Sequence, residues 1–373
     1  MIKRKIFDSI LSWLERGKVV LILGPRQSGK TTLLQMVREG YAGASMYFNC
    51  DETEPRAMLS RQNSALLRTV LGRDKLVLID EAQRLENAGL TLKIIHDTMP
   101  DIRVIATGSS AFELTDKLNE PLTGRKMEYH LLPLAFEEFA AYSDVMSEIK
   151  QLHNRLLYGC YPEVATNPGV EVPSLQNLCG SYLYKDVFNI FDIRRPELVE
   201  KLARALALQL ASEVSFNELA QLLDTDPGTI ERYVGILERA FIVYRLPNYT
   251  SNQRNEIKRS RKIYFIDNGI RNAVLSDFRP INLRDDVGKL WENYIVSEYI
   301  KRKANHLLFH SSYFWRNRNG AEIDYLELSN NRLKAHEIKW NPRKKGSFQA
   351  FLNQYPDAET LTITPENYYQ ILS

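Results

Sequence analysis

A chain of 373 residues, 44% hydrophobic and 25% charged, is too long for one ordinary domain and too apolar to stay disordered, so two or three folded domains are expected. Forty-nine Lys and Arg against 46 Asp and Glu leave a net charge of +3, and any surface for nucleic acid must therefore be local. Cys50, Cys160 and Cys179 lack metal-ligand spacing and read as buried thiols of a reducing compartment; with no run near the roughly 20 apolar residues of a membrane span, a cytoplasmic protein without membrane contact is expected.

An amphipathic helix near 6–16 ends at Gly17. Short apolar runs then alternate with helical patterns: Val19 to Leu23, Ser45 to Asn49, Leu76 to Ile79, Ile102 to Thr107 and Lys126 to Leu132 are strand candidates. That rhythm predicts an α/β fold with a parallel sheet covered on both faces, over residues 1–140. Residues 141–212 read as a helical region, with Leu198, Leu202, Leu206 and Leu210 at the i, i+4 spacing of a packed helix. In 213–262 a helix FNELAQLL, a turn DTDP, a second helix to about Arg239 and a β-like FIVYRLP give a winged-helix pattern, followed by a basic linker RNEIKRSRK at 254–262. The last segment, 263–373, carries an amphipathic helix at 289–303 and then alternating strands.

Gly24-Pro25-Arg26-Gln27-Ser28-Gly29-Lys30-Thr31 fits G-x-x-x-x-G-K-[ST] and lies directly after an apolar strand, at the opening of a helix that continues through Thr32. This setting is what phosphate binding requires. The glycines let backbone N–H groups wrap the phosphates, the helix N-terminus adds its positive end, Lys30 reaches the β and γ phosphates, and Thr31 can ligate Mg²⁺. The strand Leu76 to Ile79 ends in Asp80-Glu81, which predicts two roles: Asp80 in the magnesium shell, and Glu81 orienting and deprotonating the attacking water. ATP and Mg²⁺ are thus the expected cofactors. After the next strand, a hydroxyl of Thr107, Ser109 or Ser110 is a candidate γ-phosphate sensor, with Ser109 carried as the working choice. Arg125, in a Gly124-Arg125 turn, is a candidate arginine finger reaching the nucleotide of a neighbouring copy, which implies a homo-oligomer.

Taken together, GPRQSGKTTLL, LVLIDEAQRL, ATGSSAFEL, LTGR and HLLPLAFEEF resemble the prokaryotic AAA-like P-loop ATPases that carry a C-terminal domain of unassigned role. YLYKDV, KIYFIDNGI, LWENYIVSEYI and GAEIDYLEL through HEIKW resemble the C-terminal half of the same family. The resemblance implies an AAA-type core, a winged-helix segment and a terminal α/β domain similar in fold to restriction-endonuclease-like nucleases.

Asp226 before Pro227 makes a good helix start, and Ile230, Val234 and Leu237 a core-facing stripe. Acidic neighbours Asp224, Asp226, Glu231 and Glu238 outnumber Arg232 and Arg239, so packing or a lid role is expected here in preference to base reading. Farther on, Asp324 and the pair Glu337 and Lys339 lie on two strands joined by a Ser-Asn-Asn turn. Period two puts Glu337 and Lys339 on one face; Asp324 and Glu337 can then share a divalent metal while Lys339 orients water, and Glu292 adds a further carboxylate. Lys301, Arg302, Lys303, Arg316 and Arg318 offer positive charge for a phosphate backbone. The expected output is Mg-dependent ATP hydrolysis that rearranges the C-terminal module. Two classes stay open for that module: an ATP-controlled nuclease acting on nucleic acid, or an ATP-driven switch that binds a partner without cleaving.

Overall fold

A computed structural model describes residues 1–73, 75–108, 122–180, 193, 195–250, 261–344 and 346–373. The chain forms two compact units, Met1–Leu132 with Ala304–His306, and Pro133–Lys303 with Leu307–Ser373.

The first unit is built on a five-stranded parallel sheet: β1 (Val19–Leu23), β2 (Ala44–Asn49), β3 (Lys75–Asp80), β4 (Arg103–Gly108) and β5 (Lys126–His130), in the order β2-β3-β4-β1-β5. β1 is buried along its whole length, as a continuous Val-Val-Leu-Ile-Leu run demands of a strand covered on both faces. Helix α1 (Phe7–Glu15) packs Ile10 and Leu14 inward, and α2 (Lys30–Gly40) follows the β1 loop directly. Ile22 lies opposite Thr107 and Leu23 opposite Gly108, so the ends of β1 and β4 are level at one edge of the sheet. Ile79 lies opposite Ala106 and Asn49 opposite Asp80, which brings the ends of β3 and β2 to the same edge. In open parallel sheets this carboxyl edge is where ligands bind.

The second unit begins with short helices Phe136–Tyr142, Val145–Lys150, Leu152–Tyr158, Pro162–Thr166 and Glu171–Leu178. A helix Pro196–Leu208 carries Leu198, Leu202 and Leu206 on its buried face; Leu210 is buried too, but lies beyond the helix end. Next come β6 (Glu213–Val214), helices Phe216–Leu222 and Pro227–Arg239, β7 (Val243–Pro247) and β8 (Arg261–Phe265), the strands forming an antiparallel sheet β6-β8-β7. The Asp226 carboxylate caps the second helix, accepting from Thr229 N–H at 2.8 Å with Pro227 in its first turn. The basic stretch expected as a linker is partly strand: Arg261 and Lys262 belong to β8, while 254–260 lie outside the described residues.

Helix Val287–Asn305 precedes a four-stranded sheet of β9 (Ser311–Arg316), β10 (Glu322–Ser329), β11 (Arg332–Ile338) and β12 (Glu359–Ile363). β9, β10 and β11 form an antiparallel meander, and β12 returns parallel to β11 after the short helix Gln349–Leu352. The β10–β11 turn puts Asn330 and Asn331 at φ 49° and 61°, the pair of left-handed residues that a two-residue hairpin needs. Buried pairing also ties distant parts of this unit together. Glu298 accepts from Phe136 N–H at 2.7 Å, and Lys301 donates to the Leu134 carbonyl at 3.0 Å and to Glu298 at 2.7 Å. All three cysteines are buried and unpaired, and burial raises each thiol to about 12. No helix among the described residues is long and apolar enough to cross a membrane.

Candidate functional site

The loop after β1 is held tightly against the sheet. A β-carbon on Gly24 would stand 2.2 Å from the Leu131 carbonyl oxygen, so only glycine fits there, and Gly29 at φ 93° caps the start of α2 in a conformation that glycine adopts without strain. Arg4, which sequence reasoning passed over, is buried and donates to the carbonyls of Ser28 and Leu132 at 2.7 Å each, clamping the loop to the chain leaving β5.

Lys30 is buried, and its ammonium caps the Gly24 and Pro25 carbonyls at 3.0 and 2.9 Å. Burial lowers it to about 8 against the raising pull of Glu81 and Asp80. The Ser28 hydroxyl, fully buried in the same loop, has no hydrogen-bond partner among the described residues. Pro25 is buried, Arg26 and Thr32 are half-buried, and Gln27 is exposed.

Asp80 is the hub of the site. Its Oδ2 accepts from Thr31 Oγ1 at 2.7 Å and from the Tyr47 hydroxyl at 2.8 Å, and its Oδ1 accepts from Thr107 Oγ1. Thr107 also accepts the Glu81 backbone N–H at 3.1 Å. Glu81 sits in the left-handed region at φ 53°, ψ 44°, a conformation with a cost of about 1–3 kcal/mol for a residue other than glycine. Gln83 donates to the Glu81 carboxylate and holds it from the following turn. Tyr47 and Gln83 were invisible in the sequence, since β2 is not adjacent to β1 and Gln83 follows the acidic pair as an unremarkable loop residue. Of the three sensor candidates Thr107 is in the site; Ser109 and Ser110 lie outside the described residues.

Arg125 is placed elsewhere. Its carbonyl accepts from Val19 N–H at the start of β1, the end opposite the phosphate loop, and its guanidinium pairs with Asp97 at 2.7 Å. It does not face this chain's own Lys30 loop.

In the second unit β10, β11 and the helix Val287–Asn305 do bring the expected residues together. Asp324 Oδ2 accepts from Ile338 N–H at 2.8 Å and from Lys339 at 3.0 Å, and Lys339 also pairs with Glu337. Glu292 accepts from Tyr264 at 2.7 Å and from Lys262 at 3.0 Å. The result is a network of ion pairs, and among the described residues no group of three or more His, Cys, Asp or Glu side chains is placed to hold a metal ion. The basic surface expected beside it is largely consumed: Lys301 is buried on Glu298, Lys303 donates to the His310 carbonyl at 2.5 Å, and Arg316 pairs with Glu213 at 2.8 Å. The acids of helix Pro227–Arg239 are spent likewise, Glu238 on Arg245 at 2.5 Å and Glu231 on Arg261 at 3.3 Å.

Residues 16–140 match the family model of an AAA domain. Two models, each described as a domain of unknown function, match residues 149–280 (DUF8612) and 287–370 (DUF4143). An uncharacterized protein of Mycobacterium tuberculosis is 28% identical over 333 residues, covering 87% of this chain and 71% of its own length. One from Haemophilus influenzae is 25% identical over 363 residues, covering 87% of this chain and 90% of its own. The Walker-type ATPase of Pyrococcus abyssi shares the fold at 15% identity and a TM-score of 0.50, over 74% of this chain and 96% of that one. Residues 16–140 of this chain therefore carry an AAA-type domain with the P-loop fold.

Proposed function

We propose that the first unit binds Mg-ATP and hydrolyses it, and that its nucleotide state drives a rearrangement of the C-terminal unit. What supports the reading is the convergence of Lys30, Thr31, Asp80, Glu81 and Thr107 at one sheet edge, the last four linked hydrogen bond by hydrogen bond. The residues fit the ligand: among the described residues Ser28 Oγ is buried without a hydrogen-bond partner, Lys30 is held by loop carbonyls, and Thr31 and Asp80 offer the hard oxygens that Mg²⁺ prefers. Magnesium, when bound, neutralises charge developing on the transferred phosphoryl group. Lys30 turns from the carbonyls to the β and γ phosphates, Glu81 orients and deprotonates water, Gln83 aims Glu81, and Thr107 fixes its backbone. Arg125, directed away from its own site, is assigned to the nucleotide of another copy.

The test separates binding from chemistry. Lys30→Ala should weaken binding of a fluorescent ATP analogue, whereas Glu81→Gln should bind it normally and turn over roughly 100-fold more slowly. Normal turnover by Glu81→Gln removes that residue from the role of base.

For the C-terminal unit we favour a partner-binding switch. The order β6, two helices, β7, β8 is consistent with a winged helix, and helix, three antiparallel strands, helix, parallel strand with a nuclease-like scaffold. A second reading, an ATP-controlled nuclease, draws support from the meeting of Asp324, Glu337, Lys339 and Glu292. Cleavage of DNA or RNA with Mg²⁺ or Mn²⁺, abolished by Asp324→Ala, would replace the switch with that reading.

A further inference from the structure

The carboxylates of the C-terminal cluster already have a cation among them. Lys262, in β8, is 1% exposed. Its ammonium lies 2.5 Å from Glu322, 3.0 Å from Glu292 and 3.9 Å from Asp324, acids drawn from β10 and from the helix Val287–Asn305. Lys339 stands on the other oxygen of Asp324, at 3.0 Å, and touches Glu337. A buried ammonium is stabilised where acids surround it, and acids crowded in a low-dielectric interior are stabilised by cations among them. Here each condition meets the other.

A divalent ion shared by Glu292 and Asp324 would need oxygens at about 2.0–2.6 Å, in the space the ammonium takes. Both cations in that space would repel at contact distance in a poorly solvated site. Asp324 Oδ2, for its part, is engaged by Ile338 N–H and Lys339. We infer that Lys262 is the resident cation of this cluster: its ammonium takes the charge-neutralising place of a divalent metal and keeps metal out. The C-terminal unit, built this way, coheres without metal. Cleavage by a metal shared between Glu292 and Asp324 requires Lys262 to withdraw first.

Manganese binding reads this directly, without reference to cleavage. Free Mn²⁺ is followed by electron paramagnetic resonance in titrations of nucleotide-free full-length protein, all forms carrying Thr31→Ala to silence the phosphate-loop site. Lys262→Met removes the charge and keeps the chain length; Lys262→Arg keeps the charge. The expected result is one extra Mn²⁺ equivalent in Lys262→Met, lost again when Asp324→Asn is added, with no such equivalent in the parent or in Lys262→Arg. Mn²⁺ should also raise the melting temperature of Lys262→Met and leave that of the parent unchanged. A parent that already binds an equivalent abolished by Asp324→Asn overturns the inference, as does a folded Lys262→Met that gains none. If Lys262→Met does not fold with or without Mn²⁺, comparing the parent with Asp324→Asn decides: equal stoichiometry upholds exclusion, and a lost equivalent overturns it.

Discussion

Replacing Thr107 with Val separates the hydroxyl of this residue from its shape. Thr107 is fully buried; its Oγ1 donates to Asp80 and accepts the Glu81 N–H at 3.1 Å. A hydrogen bond to a charged group contributes about 1.5–3 kcal/mol, and leaving a buried N–H unpaired costs about 1–3 kcal/mol. Because the two share one atom they are not fully additive, and Thr107→Val should destabilise the nucleotide-free protein by about 2–4 kcal/mol. Glu81 is already in a strained left-handed conformation, and without the Thr107 acceptor its backbone is free to relax. If about half of the loss appears in the barrier, at 1.36 kcal/mol per factor of ten, kcat falls roughly 5–30-fold while ATP binding changes little. Thr107→Ser keeps both bonds and should turn over within about threefold of wild type, losing about 1 kcal/mol of packing. Phosphate release at saturating Mg-ATP, binding of a fluorescent analogue and urea unfolding measure the three quantities. A Thr107→Val protein with wild-type kcat but lowered stability would show that Thr107 only holds strand ends together.

Two further expectations concern other regions. If Arg125 acts on a neighbouring copy, mixing inactive Arg125→Ala with inactive Lys30→Ala should restore part of the ATPase activity, through interfaces pairing an intact loop with an intact arginine; a fully active monomer rules this out. Burial lowers the imidazole of His336 from 6.5 to about 4, so the folded state binds its proton less readily than the unfolded chain. Its contribution is fully present above about pH 6.5 and is lost as pH falls toward 4, by up to about 3 kcal/mol. Urea unfolding between those pH values should therefore show a steeper acid loss in wild type than in His336→Gln, and equal slopes would exclude His336 as the source.

The phosphate loop and the Asp80-Glu81 pair were legible because each is a contiguous run whose meaning depends only on the strand before it. The five strands were equally readable, ending within two residues of their expected limits, since continuous apolar runs between polar turns have few alternatives. Thr107 could not be separated from Ser109 and Ser110 because which hydroxyl reaches Asp80 depends on the register of β4 against β3, a pairing between residues 27 positions apart. Lys262 was hidden by its neighbours. In a run of lysines and arginines it looks solvated, and only the return of Glu292, Glu322 and Asp324 from later elements shows it buried. Lys301 was misread for the same reason: its partners are Glu298 one turn away and a carbonyl from Leu134.

The bonds that Glu298 and Lys301 make to Phe136 and Leu134 also set a clock. The Phe136 N–H waits for a carboxylate 162 residues farther along the chain. At synthesis rates of about 5–20 residues per second that partner emerges roughly 8–30 s later. Throughout that interval the Leu134 carbonyl and the Phe136 amide must remain solvated, since burying them unpaired would cost about 1–3 kcal/mol each. The opening segment of the second unit is thus among the first of its parts to be made and among the last to be fixed.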